Sequence, residues 1–350
     1  MALDPDKLNH LLVRLIGDVA AAASGALVVL GERLGLFRTL AAHGPLSSAA
    51  LATRLDLHER YVREWLNNMV AGQYIAFDPA TACYHMSPEQ IACLADPDSP
   101  AYLPGGYFGV MALYADEPKV EEAFRSGNGI GWGDHSNCLF CGAEKFFGPG
   151  YKANLVEHWL PALEGVVAKL ETGATVADVG CGHALSTRLM ARAFPRSRFH
   201  GIDYHGPSIA HATEMASTWQ LENTHFHTGG AADFEGEYDL ITFFDCLHDM
   251  GDPVAIARHV STRLRPGGTW MIVEPMAGDS VADNINPVSR AFYAFSTMVC
   301  VPVSLSQPGR MGLGAQAGPA RLTEVLKAGG FSHVRIAATT PSNLVIEARV

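Results

Sequence analysis

Between residues 8 and 42 apolar side chains recur every three or four positions: Leu11, Leu12, Leu15 and Ile16, then Leu27, Leu30, Leu34 and Phe37. That period predicts helices. Gly44-Pro45 breaks the pattern, and Ser47 or Ser48 can cap a helix running through Leu55. A second helix, Glu59 to Val70, carries Tyr61, Val62, Trp65, Leu66 and Met69 on its apolar side. Gln73 to Phe77 and Ala82 to Met86, around the turn Asp78-Pro79-Ala80-Thr81, read as a hairpin. Helix, turn, helix, hairpin is the order of a winged helix-turn-helix. Residues 99–150, rich in Gly, Pro and aromatics such as Tyr107, Trp132 and Phe146, read as a connector over the mouth of the next domain. From Tyr151 to Val350 short apolar strands alternate with helices, which implies a mostly parallel sheet covered on both faces. The expected divisions are a helical domain 1–98, an aromatic connector 99–150 and an α/β domain 151–350. An insertion at about 284–318, with Phe292, Tyr293, Phe295 and Met298, is expected to act as a lid on an apolar, enclosed cavity.

Composition narrows the partners. With 48% hydrophobic and 17% charged residues the chain is a well-buried globular protein, without the polarity of disorder. A net charge of −11 disfavours nucleic acid and anionic membrane, both of which call for a basic surface. The winged-helix stretch Pro45–Asp98 holds Arg54, Arg60 and Arg63 against seven acids, so dimerisation or substrate capping is expected of it. The apolar run Val19–Leu30 reads as too short to span a bilayer. Asp4 and Asp6 precede Lys7, unlike the positive start of a signal peptide. Seven scattered cysteines point to reduced thiols and a cytoplasmic location. Cys138 and Cys141, with His135 near them and His158 further on, lack the second Cys-x-x-Cys of a zinc site, and no metal is expected.

The chemistry concentrates in Val176-Ala177-Asp178-Val179-Gly180-Cys181-Gly182-His183-Ala184, followed by a helix to Phe194 and a strand ending on Asp203. Strand, glycine turn, helix, strand and acid is how a doubly wound sheet holds an adenosyl ribose. A dinucleotide fingerprint would require a third glycine where Leu185 stands. That weakens an NAD-dependent oxidoreductase reading.

Asp178-Val179-Gly180-Cys181-Gly182 resembles the first motif of class I S-adenosylmethionine-dependent methyltransferases, with Ala184 for its third glycine. Arg198–Tyr204, Tyr238–Asp245, and Leu264–Thr269 with Trp270–Glu274 resemble the later motifs, in order. The arrangement resembles small-molecule O-methyltransferases of an actinobacterial type with an N-terminal winged helix. The resemblance implies a Rossmann-like, seven-stranded α/β domain preceded by the helical one, S-adenosylmethionine as cofactor, and a homodimer. It assigns Asp178, Gly180, Cys181 and Gly182 to the cofactor turn, Asp203 to the ribose, Tyr204 beside it to the cofactor, and Phe244 and Asp245 to the methionine end. Tyr151 is a further candidate contact. Where the family often has an adenine-binding Asp stands Gly230, so either Asp233 or the backbone at Gly230, Ala231 and Ala232 reads the adenine. Leu247-His248-Asp249-Met250 resembles the segment whose His deprotonates an acceptor hydroxyl, with Met250 in place of Trp. His248 is therefore the candidate general base, with Asp249 beside it, while Glu274 is assigned a structural role. The expected acceptor is a small apolar or aromatic molecule. A regulator that binds DNA and senses the cofactor is the alternative.

Overall fold

The computed structural model describes residues 3–350, which form two units: 3–112 with Asn137–Gly150, and Leu113–Ser136 with Tyr151–Val350. In the first unit Asp4 caps a long helix, Pro5–Arg33, by accepting from the Asp6 and Lys7 amides. Gly35, at φ 71°, then turns the chain into Leu36–His43. The helix is 29 residues long, so the length argument drawn from Val19–Leu30 fails. Pro5–Arg33, like Pro287–Ser306, is long and apolar enough to cross a membrane, a test that core helices of soluble proteins also pass. Its N-terminal half buries little: Leu11, Leu12, Leu15, Ile16 and Val19 are all exposed.

Ser47 caps Ser48–Leu55 and His58 caps Glu59–Ala71. The second of these buries Val62, Trp65, Leu66 and Met69 against Val28, Phe37, Leu40 and Leu51. Tyr61 departs from the expected apolar stripe and stands 77% exposed, because it falls beyond the arc that faces this core. Trp65 donates from its indole to the Leu27 carbonyl at 2.8 Å and lies so close to Gly31 that a Cβ there would come within 2.6 Å of its ring. Arg60 and Arg63 each pair with a glutamate one turn away, Glu64 and Glu59. The hairpin is shorter than its sequence suggested: β1 (Ala76–Asp78) and β2 (Cys83–His85).

The second unit is built on seven strands: β3 (Thr175–Val179), β4 (Arg198–Asp203), β5 (Thr224–Thr228), β6 (Tyr238–Phe244), β7 (Leu264–Pro275), β8 (His333–Thr339) and β9 (Asn343–Arg349). Their order is β5-β4-β3-β6-β7-β9-β8, with the first five parallel and β9 antiparallel to both neighbours. The segment Leu264–Thr269, read as a turn, is a bulged start of β7. Tyr238 pairs with Leu264 and Leu240 with Thr269, so the intervening residues loop out, with Gly267 at φ 72°. Apolar runs fill the central strands because both faces are covered: Ile241, Phe243, Trp270, Ile272 and Ile346 are fully buried. The chain passes from β3 outward to β4 and β5, then returns to lay β6 on the other side of β3. A crevice therefore opens beyond the carboxyl ends of β3 and β6, the usual ligand position in such sheets. The register brings Val179 level with Ile202 and Phe244 level with Val273. The residues next along, 180–182, 203, 245 and 274, thus share one edge.

Candidate active site

The glycine turn is a run of left-handed backbone. Gly180, Gly182 and Ala184 have φ of 72°, 53° and 59°. The Gly180 and Cys181 amides bond the Ile202 carbonyl at 2.8 and 3.1 Å, lashing the turn to β4. A Cβ on Gly180 would lie 2.7 Å from the Cys246 sulfur, whereas one on Gly182 would meet nothing within 4 Å. Gly180 is therefore required by packing, and Gly182 faces open space. Asp203 reaches across from β4 to the same turn. It accepts from the Gly182 amide at 2.9 Å and the His205 amide at 2.8 Å, and burial raises its pKa against those two bonds. Each of its oxygens keeps a second lone pair for a ligand hydroxyl. Tyr204, next along, is half exposed.

Asp178 lies beneath the turn, 1% exposed, and accepts from Ser186 at 2.7 Å, Thr187 at 2.5 Å and Thr242 at 3.0 Å. Burial lifts its pKa to about 6 in spite of these donors. It ties the first turn of helix Leu185–Ala193 to β3 and β6, so its geometry is that of a positioning group. Cys181 is a buried thiol whose pKa burial pushes well up. After β5, the Gly230 amide donates to Asp233 at 3.1 Å, so this carboxylate folds back on its own turn.

At the end of β6, Asp245 adopts φ 50° and accepts from the Tyr151 hydroxyl at 2.6 Å and from Asn343 at 3.3 Å. Tyr151 also packs its ring 5.2 Å from that of Phe244. The structure thus brings Tyr151, Phe244 and Asp245 together. Burial raises Asp245 to about 7, opposed by the Tyr151 bond and reinforced by Glu274.

His248 is 3% exposed and sits between two carboxylates, Glu274 at Nδ1 and Asp249 at Nε2, the latter 3.1 Å away. Burial disfavours charge on the ring, but Glu274 and then Asp249 outweigh it, and its pKa rises well above the usual histidine value. Glu274, 2% exposed, is further fixed by the Leu247 amide at 3.0 Å. Sequence reasoning left Glu274 structural; the signal that would have found it is that β6 and β7 end side by side. Cys300, from the insertion, also stands in this cluster, its Sγ within 4.8 Å of the ligand atoms of His248 and Asp249, with its pKa pushed by burial to about 12. Nothing in its local sequence marked it. The insertion itself is a helix Pro287–Phe295, a π-helical turn Ser296–Cys300 and a helix Val301–Ser306. Phe292 is buried and Tyr293 exposed, so only part of its aromatic run can line a cavity. Cys138 and Cys141 share helix Asn137–Asn154 and belong to no group of three ligands among the described residues.

Residues 22–96 match the Rv2258c-like winged HTH domain and residues 170–328 a methyltransferase domain. The fold is similar to that of an O-methyltransferase family protein from Burkholderia thailandensis, at TM-score 0.70 and 16% identity over 97% of this chain and 98% of the other. It is also similar to human N-acetylserotonin methyltransferase in complex with SAM, at TM-score 0.68 and 18% identity over 97% of both chains. In sequence, trans-aconitate 2-methyltransferase of Deinococcus radiodurans is 28% identical over 112 residues, 32% of this chain and 42% of that protein. The chain spans less than half the length of the curated relatives it matches. Both domain matches, the seven-stranded order and the succession of motifs agree: the chain belongs to the class I methyltransferases that carry an N-terminal winged-helix domain.

Proposed function

We propose that the protein transfers the methyl group of S-adenosylmethionine to a hydroxyl oxygen of a small, largely apolar or aromatic acceptor. The observation that carries this reading is a single crevice with a left-handed glycine turn beside Asp203 at one end and the buried His248–Asp249–Glu274 cluster at the other. Asp203 would accept from the ribose hydroxyls. With Asp233 folded onto Gly230, the backbone at Gly230, Ala231 and Ala232 is the better reader of the adenine. Tyr151, Phe244 and Asp245 would enclose the methionine end, above Asp178 and Cys181.

The sulfonium methyl is already activated, so the protein's task is alignment and exclusion of water. The acceptor oxygen forms the new C–O bond as the C–S bond breaks, its electron pair going to sulfur. The hydroxyl proton then goes to the His248–Asp249 pair. His248 is the candidate base of that pair, with Glu274 holding its Nδ1 and Asp249 at its Nε2. The related solved structures support the fold and the name of the human one supports the cofactor. Incubating the protein with S-adenosylmethionine and a panel of phenols and aliphatic alcohols, with mass detection of products, tests the reading. Products heavier by one methyl are expected. Their absence, together with methylation of amines or carbon acids only, would contradict the oxygen assignment.

The N-terminal module is best read as a dimerisation and capping element, since Arg60 and Arg63 are engaged by glutamates and the Pro5–Arg33 helix carries an exposed apolar face. A homodimer in the cytoplasm, with neither nucleic-acid nor membrane partners, fits that reading. All seven cysteines are free thiols, as a reducing compartment allows. A low-salt DNA mobility shift would favour the regulator instead.

A further inference from the structure

The sheet is covered unequally at its β5 edge. The stretch between β5 and β6, residues 229–237, forms no helix, so one face of β4 and β5 lacks the layer that an α/β sheet ordinarily carries there. On the opposite face Phe226 packs against Cys181, Ile209 and Ala212. Alternation along the strands puts Arg198, His200 and Ile202 of β4 on the uncovered face, together with His225 and His227 of β5. His225 and His227 are exposed, and His200 is half-buried. Tyr238 closes the inner side of His200, its ring edge-on with the centroid 5.8 Å away.

Register sets two imidazoles at coordination distance. His200 pairs with His225 and Ile202 with His227, so His227 stands diagonally across from His200. The two rings lie nearly parallel, at 14°, with centroids 5.6 Å apart, and His200 Nδ1 is 3.4 Å from His227 Nε2. That is long for a hydrogen bond between ring nitrogens. Two nitrogens on one tetrahedral zinc, each bonded at about 2.0–2.1 Å, stand roughly 3.3–3.4 Å apart. His200 is also in the form that coordinates. Burial, then His225, His227 and Arg198, lower its pKa, so the ring is neutral at pH 7 and offers a lone pair. His225 has its ring centre 5.2 Å from that of His200, on the same face.

We infer that His200 Nδ1 and His227 Nε2 chelate a zinc-class divalent cation at the β4–β5 edge, with water completing its coordination. Imidazole suits zinc, nickel or copper, whereas magnesium and calcium take oxygen ligands. Both rings enter as neutral bases, the second nitrogen of each keeping its proton. The bound ion staples two strands that lead into the adenosyl end of the crevice. β4 ends on Asp203 and β5 runs into Gly229 and Gly230, and the Gly229 amide donates to the Asp203 carbonyl at 3.1 Å. As the edge strand, β5 is hydrogen-bonded to β4 alone, so a second tie between them matters most there. The site stands whether or not the crevice transfers methyl groups. It uses neither Cys138 nor Cys141, the cysteines behind the expectation of no metal.

Zinc, titrated calorimetrically into the tag-free, metal-stripped full-length protein, tests the pair. The wild type and His225→Ala should each take up one equivalent more than His227→Ala or His200→Asn. His227 is exposed, so its variant should keep the wild-type circular dichroism, and if His200→Asn fails to fold, His227→Ala decides alone. Hydrogen–deuterium exchange reports the staple. Zinc should slow exchange across residues 199–203 and 224–228 in the wild type and leave it unchanged in His227→Ala. Equal zinc uptake by the wild type and His227→Ala, as ions held elsewhere in the chain would give, would overturn the inference. So would loss of the extra equivalent in His225→Ala, or zinc bound without slower exchange in these strands.

Discussion

The two ends of the crevice beyond β3 and β6 are built by different means. At the adenosyl end the working parts are backbone: left-handed glycines, amides lashed to β4, open space above Gly182 and one carboxylate, Asp203. At the methyl end they are buried side chains, with His248 clamped between Asp249 and Glu274 and Asp245 held by Tyr151. A backbone site tolerates many side chains nearby but few at its glycines. A side-chain ion cluster tolerates backbone change but not the loss of a partner, because the survivor is left charged and buried. The first end should therefore govern cofactor affinity and the second end turnover.

Mutations at each end can break that division. His248→Ala is expected to have the largest effect, lowering turnover about 10²- to 10⁴-fold, with cofactor affinity little changed. It should also cost about 3–5 kcal/mol of stability, measured by urea unfolding, because Glu274 loses its partner. Equal losses in turnover and cofactor affinity would erase the distinction between the ends. Next comes Gly180→Ala, where left-handed strain of about 1–3 kcal/mol adds to the clash with Cys246. Gly182→Ala should cost only the strain and weaken cofactor binding, since its Cβ enters the open space. If the two alanine variants unfold at the same urea concentration, the packing argument fails. Asp203→Ala should weaken S-adenosylmethionine binding by about tenfold, roughly 1.4 kcal/mol, with turnover at saturation nearly unchanged.

The smallest expected effect is a pH slope. Asp178 and Asp245 have folded pKa values raised to about 6 and about 7 from ordinary carboxylate values. The folded state therefore binds more protons than the unfolded one between about pH 4 and 7, and these groups lower stability as pH rises through that window. Asp245→Asn, which keeps a side chain tolerant of the left-handed backbone, should flatten the fall in melting temperature over that range. An unchanged slope would mean that Asp245 ionises normally.

The same contrast explains what could be read from the chain. The adenosyl end is local: Asp178, Gly180, Gly182 and the acid at 203 occur in one strand–turn–helix–strand unit, so their spacing carries their geometry. The methyl end is assembled from afar. His248 meets Glu274 across 26 residues and Tyr151 meets Asp245 across 94, so pairing required the strand order and register. Cys300 was invisible for the same reason, since it comes from an insertion with no sequence period that points inward. The winged-helix order was legible because its helices carry apolar stripes and are set off by the Gly44-Pro45 break and the Ser47 cap. Tyr61 was misplaced because one residue's rotation on a helix falls within the slack of any apolar stripe. The bulge at Leu264–Thr269 read as a plain turn because Pro266-Gly267-Gly268 signals a break whether or not the strand resumes pairing on either side.

Calorimetric titration of the intact protein with S-adenosylmethionine, beside NAD, bears most directly on the central claim that this crevice holds a sulfonium methyl donor. Saturable binding of S-adenosylmethionine at one site per chain, weakened in Asp203→Ala and retained in His248→Ala, with no heat from NAD, is the expected result. No binding of S-adenosylmethionine or of its demethylated product, or saturable binding of NAD in its place, would contradict it.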